Sequence, residues 1–297
     1  MREAVNSFIT NLTRNGASPN TIRSYTSILT KNIVKEHSDI KIEDFSKLEV
    51  TAILARLREA GKSSYTQINT LRAISALFTY AIEQEWIESN PVKGVKLPTK
   101  TNARLHQPVA LTAPQLRALI ETIPENVRGI FALASWGALR YSEVVALNKT
   151  DVDARLWTVR VSRALKRDAH GGLILGNPKS SAGYRTITIP PACQDIVAGA
   201  VAAAPAGDPC LFVNPAHPEG WWTDRVLRTI LHAACVELGY PRMRFHDLRH
   251  TGLTLYGQAG ATLADLMARA GHTNADTVMI YQQSSIIRDR ELSARMG

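Results

Sequence analysis

Apolar residues in this chain recur at three- and four-residue spacing toward both ends and switch to every second residue only in a short middle stretch. A period near 3.6 buries one face of a helix and a period of two buries one face of a strand. The switch therefore restricts the chain to a mainly α fold with a small antiparallel β-sheet. In the first third, Ile22, Tyr25 and Leu29 follow Ser18-Pro19, a capping residue ahead of a proline at the first helical position. Ser46-Lys47-Leu48-Glu49 has the form of a capping box before Ile53, Leu54 and Leu57. Ile68, Leu71, Ile74, Phe78 and Ile82 predict a longer helix from about Ser64, ended by Asn90-Pro91.

These amphipathic segments predict a helical domain over residues 1–97, then a proline-marked linker at 98–109 with Pro98, Lys100, Arg104 and Pro108. A second domain, 110–297, opens with another capping box at Thr112-Ala113-Pro114-Gln115, and helical patterning runs on to Leu147. Leu156 to Val161 and Tyr184 to Ile189 alternate and predict strands, with a glycine-rich, turn-like stretch from Asp168 to Gly183 between them. Helices are expected again at 192–204, 223–238, 246–259 and 262–270.

The formal charge of +9 is dispersed along 297 residues, which suits a folded surface meeting many phosphates. No apolar run reaches the roughly 18–20 residues of a membrane span, so no membrane partner is expected. The N-terminus lacks an apolar signal core, and Cys193, Cys210 and Cys235 form no CxxC pair. A cytoplasmic location with three buried thiols is the expectation.

The chemistry-bearing residues concentrate late in the chain. His246-Asp247-Leu248-Arg249-His250 places an imidazole and a guanidinium three residues apart, on one face of a helix. Such a pair suits a phosphate. His246 and His250 also have the four-residue spacing of a zinc pair, but His106, His170 and His217 bring no partner motif, and Arg249 would repel a divalent ion. His250 reads as structural. Arg140, in Gly137-Ala138-Leu139-Arg140-Tyr141-Ser142-Glu143, is either a second phosphate ligand or a surface arginine paired with Glu143. Gly271 is a natural helix C-cap that leaves His272 just past a helix end. Tyr281 follows; a phenol with its ordinary pKa near 10 is a weak nucleophile unless cations favour its phenolate.

The order Arg140, Lys179, His246-x-x-Arg249, Gly271-His272, Tyr281 resembles the tyrosine recombinase family, specifically its phage-integrase branch, along nearly the whole chain. The resemblance implies a SAM-like core-site-binding domain followed by a mixed α+β catalytic domain. It makes Arg140, Arg249, His246 and His272 the phosphate-handling groups, Glu143 a supporting acid and Tyr281 the nucleophile. Lys179, in the family's lysine turn before a strand, becomes the general acid, with Lys166 as the alternative. No metal, ATP or other cofactor is implied. The implied partners are double-stranded DNA with paired core-type sites, three further copies in a homotetramer, and an excisionase or DNA-bending host protein. Chromosome-dimer and transposon recombinases share these features. A helical DNA-binding regulator would explain the charge but not the constellation. Tyr141 and Ala270 depart from the usual neighbours of the motif residues, and because the first core-binding helix starts almost at once, no arm-site domain is expected ahead of it.

Overall fold

The computed structural model describes residues 1–96, 108–168, 171–178, 180–205, 210–217, 219–279 and 293–294. The chain divides into two compact units, Met1–Gln107 with Arg167–Gly171, and Pro108–Lys166 with Gly172–Gly297.

Helices of the first unit are α1 (Arg2–Arg14), α2 (Pro19–Leu29), α3 (Lys35–His37), α4 (Lys47–Glu59) and α5 (Ser64–Glu83), with a π turn at Thr30–Val34 joining α2 to α3. Ser18 Oγ accepts the Thr21 N–H at 3.2 Å, and the Ser46–Glu49 box forms in both directions. Val5, Phe8, Leu29, Ile33, Ile53, Ile74, Leu77 and Phe78 make one core. The helix α5 stops at Glu83, earlier than Asn90-Pro91 predicts. Glu85 turns left-handed (φ 58°), and the N–H groups of Glu85 and Trp86 close back on Ile82 and Ala81. Asn90 instead returns its amide to the Ser75 carbonyl at 3.0 Å, fastening the following turn to α5.

In the second unit come α6 (Ala113–Thr122), α7 (Glu125–Ser135) and α8 (Tyr141–Val144), then β1 (Val152–Asp153), β2 (Thr158–Val161), β3 (Ala164–Arg167), β4 (Leu173–Gly176) and β5 (Arg185–Thr188). They are followed by α9 (Gln194–Ala203), α10 (Asp224–Glu237), α11 (Phe245–Gln258), α12 (Leu263–Ala270) and α13 (Asp276–Met279). Helical patterning breaks between α7 and α8, where Ala138 is left-handed at φ 55°. Strands β1, β2 and β5 form an antiparallel sheet in that order, with Val159 opposite Ile187 and Val161 opposite Arg185. A second two-stranded sheet, β3 with β4, occupies part of the stretch read as turns. Its source is the short run Leu173-Ile174-Leu175, concealed among glycines.

Val159, Val161 and Ile187 turn inward into the same core as α7, which is buried on almost every side from Val127 to Ser135. All three cysteines are buried. Among the described residues no helix is long and apolar enough to cross a membrane.

The helix α11 meets α7 backbone to backbone. A Cβ on Gly252 would lie 1.7 Å from the Ser135 carbonyl oxygen, a contact neither helix can relieve by turning a side chain. Gly252→Ala is therefore expected to cost about 3 kcal/mol in urea unfolding, the upper range for overpacking. A loss under about 0.5 kcal/mol would show that the helices separate freely.

Candidate active site

Four elements distant in sequence deliver the site. The break after α7 turns the chain so that Arg140 sits at the N-cap of α8, with its own N–H donating to Glu143 Oε2 at 2.9 Å. Its Nη1 donates to Glu143 Oε1 at 2.6 Å and its Nη2 to the Gly271 carbonyl at 3.1 Å. Arg140 is thus paired with Glu143, and its side chain still keeps 33% of its surface open. The phosphate and ion-pair readings of Arg140 are compatible.

Arg249, from α11, is 1% exposed and takes the place of a core residue. Its Nη1 donates to the Ala138 carbonyl at 2.5 Å and its Nη2 to the Ala270 carbonyl. The same Nη2 lies 3.1 Å from His272 Nε2, and Nη1 lies 3.9 Å from Glu143 Oε2. Gly271 adopts the left-handed conformation at φ 60°, so α12 ends and His272 follows beside Arg249. His246 stands one turn earlier on α11 with an exposed side chain, and His250 is half-buried.

Burial alone would raise Glu143, but the hydrogen bonds and charge of Arg185, followed by those of Arg140, outweigh it and hold the carboxyl at about 2. Burial first, then the cations Arg249 and Arg140, push His272 down to about 4. Desolvation first, and then the Arg249 charge, hold His246 below the ordinary histidine value. Both rings are neutral at neutral pH. Since a guanidinium can only donate, His272 Nε2 accepts from Arg249 and its proton sits on Nδ1, a buried atom with no hydrogen-bond partner among the described residues. Three guanidiniums against one carboxylate leave two positive charges, a site electrostatically suited to an anion.

The third guanidinium, Arg185, is one sequence reading missed. It donates to Glu143 from Nη2 (2.8 Å) and Nη1 (3.2 Å), and to the Arg269 carbonyl from Nε (2.8 Å). Its signal was present: in Arg185-Thr186-Ile187-Thr188-Ile189 the arginine shares the inward register of the two isoleucines. Arg269 was missed too. It is buried across the Tyr256 ring at 4.6 Å and donates to the Trp136 carbonyl at 2.8 Å. Lys179 and Tyr281 lie outside the described residues. Lys166 is exposed on β3, its side chain lying across Gly176. The helix α13, ending two residues before position 281, packs Val278 into a cluster with Ala138, Leu253, Leu266 and Ala270.

Residues 110–286 match the profile of the Phage integrase family, and residues 5–88 that of the Phage integrase, N-terminal SAM-like domain. The chain belongs to the phage integrase family. As a family member it is a tyrosine recombinase, an enzyme that cuts and rejoins DNA. It is 30% identical to the prophage phiRv2 integrase of Mycobacterium tuberculosis (strain ATCC 25618 / H37Rv), over 96% of this chain and 76% of that protein. It is 27% identical to the tyrosine recombinase XerC of Herpetosiphon aurantiacus, over 96% of this chain and 92% of that one. The Tn1549 transposon integrase has the same fold at a TM-score of 0.80, with 19% identity, covering 98% of this chain and 99% of that one.

The depressed Glu143 sets a pH dependence. A carboxyl held below its unfolded value stabilises the fold above that value, and the contribution disappears as pH falls from about 4.5 toward about 2. The shift corresponds to about 3 kcal/mol. Urea unfolding is expected to place Glu143→Gln about 3 kcal/mol or more below the unsubstituted protein at neutral pH, with the gap closing as pH drops below 4.5. A gap that stays constant down to acid pH would remove Glu143 as the titrating group.

Proposed function

We propose that this tyrosine recombinase is a site-specific integrase that inserts and excises a phage or other mobile element through a 3′-phosphotyrosine intermediate. The observation that carries the reading is the gathering of Arg140 and Arg249 around one buried carboxylate, Glu143, with His272 held against Arg249. Arg140 holds a non-bridging oxygen of the scissile phosphate, His272 supplies a hydrogen bond to the same group, and Arg249 adds its charge. Together they stabilise the additional negative charge of the pentacoordinate transition state.

Tyr281 attacks phosphorus through its phenol oxygen, giving up its proton to a neutral base; His246, held below its ordinary pKa, is suited to accept it. The bond to the 5′ oxygen breaks, and Lys179 protonates that leaving group. The phosphotyrosine conserves the bond energy, so a 5′-hydroxyl of the partner duplex can displace the tyrosine without ATP. A second round resolves the Holliday junction. No step requires a metal. The substrate is double-stranded DNA; solved structures of the Tn1549 and lambda integrases, which share this fold, are complexes with circular intermediate DNA and a core site. Four copies on two core sites, assisted by an excisionase or a DNA-bending protein, complete the proposed assembly.

A nicked suicide duplex, its core selected from a random pool by binding to this chain, tests the nucleophile. With EDTA present, the unsubstituted protein is expected to form a covalent adduct and Tyr281→Phe none. An adduct with Tyr281→Phe, or one that needs a divalent metal, would refute the mechanism. For the acid, Lys179→Ala should cleave slowly, and a 5′-bridging phosphorothiolate should restore the rate because a thiolate leaves unprotonated. Rescue of Lys166→Ala in place of Lys179→Ala would transfer the role to Lys166.

A further inference from the structure

We infer that Arg185 is a positioning residue for strand cleavage, locking the turn that precedes β5 and the end of α12 onto Glu143. The inference rests on the reading above, in which Lys179 on that loop supplies the proton. The register of β5 sets Arg185 opposite Val161 on the core side of the sheet, and its side chain is 6% exposed. It is thus an internal brace and not a ligand of the substrate.

Its fork spans both oxygens of Glu143, at 2.8 and 3.2 Å. Nε reaches the Arg269 carbonyl in the last turn of α12 at 2.8 Å, and Nη1 the Gly183 carbonyl at 3.1 Å. One guanidinium therefore ties together α8, α12 and the turn Ser181–Gly183, which begins two residues after position 179. The backbones are close enough to need this alignment, since a Cβ on Gly271 would lie 2.6 Å from the Ala182 carbonyl oxygen and 3.1 Å from Arg185 Nη1. Glu143 in turn holds Arg140, while Gly271 offers Arg140 its carbonyl and precedes His272. A shift at Arg185 reaches the phosphate side through Glu143 and the leaving-group side through the turn. Lysine would retain the charge but has no planar fork to make these bonds at once.

The test is single-turnover cleavage of the suicide duplex across a range of DNA concentrations at 15 °C, with circular dichroism confirming that each variant is folded. Arg185→Lys is expected to cleave about a hundredfold slower at saturating DNA, the scale of an ångström-level misplacement, with the half-saturating concentration unchanged. Arg185→Gln, which has neither charge nor fork, should be slower still. The 5′-bridging phosphorothiolate should recover part of the Arg185→Lys deficit, because one of the two positioned groups is then dispensable. A brace that only stabilises the fold predicts a normal rate in folded protein. A rate within twofold of the unsubstituted protein, a loss confined to DNA affinity, or a deficit untouched by the phosphorothiolate would each overturn the inference. If the unsubstituted protein forms no Tyr281 adduct, or Lys179→Ala is not rescued, the underlying reading fails instead, and the controls show which has failed.

Discussion

The carboxylate of Glu143, 3% exposed, sits among the guanidiniums of Arg140, Arg185 and Arg249, and the elements of the site depend on it for their arrangement. A buried charge is expensive unless paired and hydrogen-bonded, and each of these cations would repel the others without it. One carboxylate holds them within reach of each other but cannot neutralise them. The surplus positive charge remains where a phosphodiester can use it. Burial first, and then the charges of Arg249 and Arg140, hold His272 and His246 below the ordinary histidine value, so the site couples fixed positive charge to rings able to donate or accept a proton.

Backbone shape does the remaining work. Ala138 adopts a left-handed conformation that a residue with a Cβ resists, and its carbonyl is where Arg249 Nη1 is anchored. Gly271 ends α12 in the same conformation, so that the carbonyls of Ala270 and Gly271 point at Arg249 and Arg140 respectively. The close approach at Gly252 brings α11, and with it Arg249, against the end of α7. Each device is local, yet all converge on two guanidiniums. The cluster that receives Val278 contains Ala138 and Ala270 as well, which links α13 with the anchors of Arg249.

Much of this was legible before any coordinates. Capping boxes at Ser46 and Thr112 and the later apolar periods placed helices within a residue or two, because those signals depend on neighbours in sequence. The misses have the opposite character. The helix α5 ended on a left-handed Glu85, which no residue preference announces, while the more visible Asn90-Pro91 marked a later turn. Strand β4 is a short apolar run whose pairing with β3 is a matter of partners. Arg185 and Arg269 were passed over since an isolated arginine in a basic chain looks solvated; burial revealed them.

By itself the sequence determined the mainly helical class with its small antiparallel sheet and, through the order of its motifs, the recombinase family. Helix periodicity and caps are short-range, and motif order survives without knowledge of folding. Only the tertiary structure decided that Arg249 is buried and Arg140 partly open, that one acid serves three arginines, and that His272 carries its proton on Nδ1. These depend on which carbonyls and charges surround a side chain once residues more than a hundred positions apart are brought together, a long-range burial and electrostatic effect that no local pattern encodes.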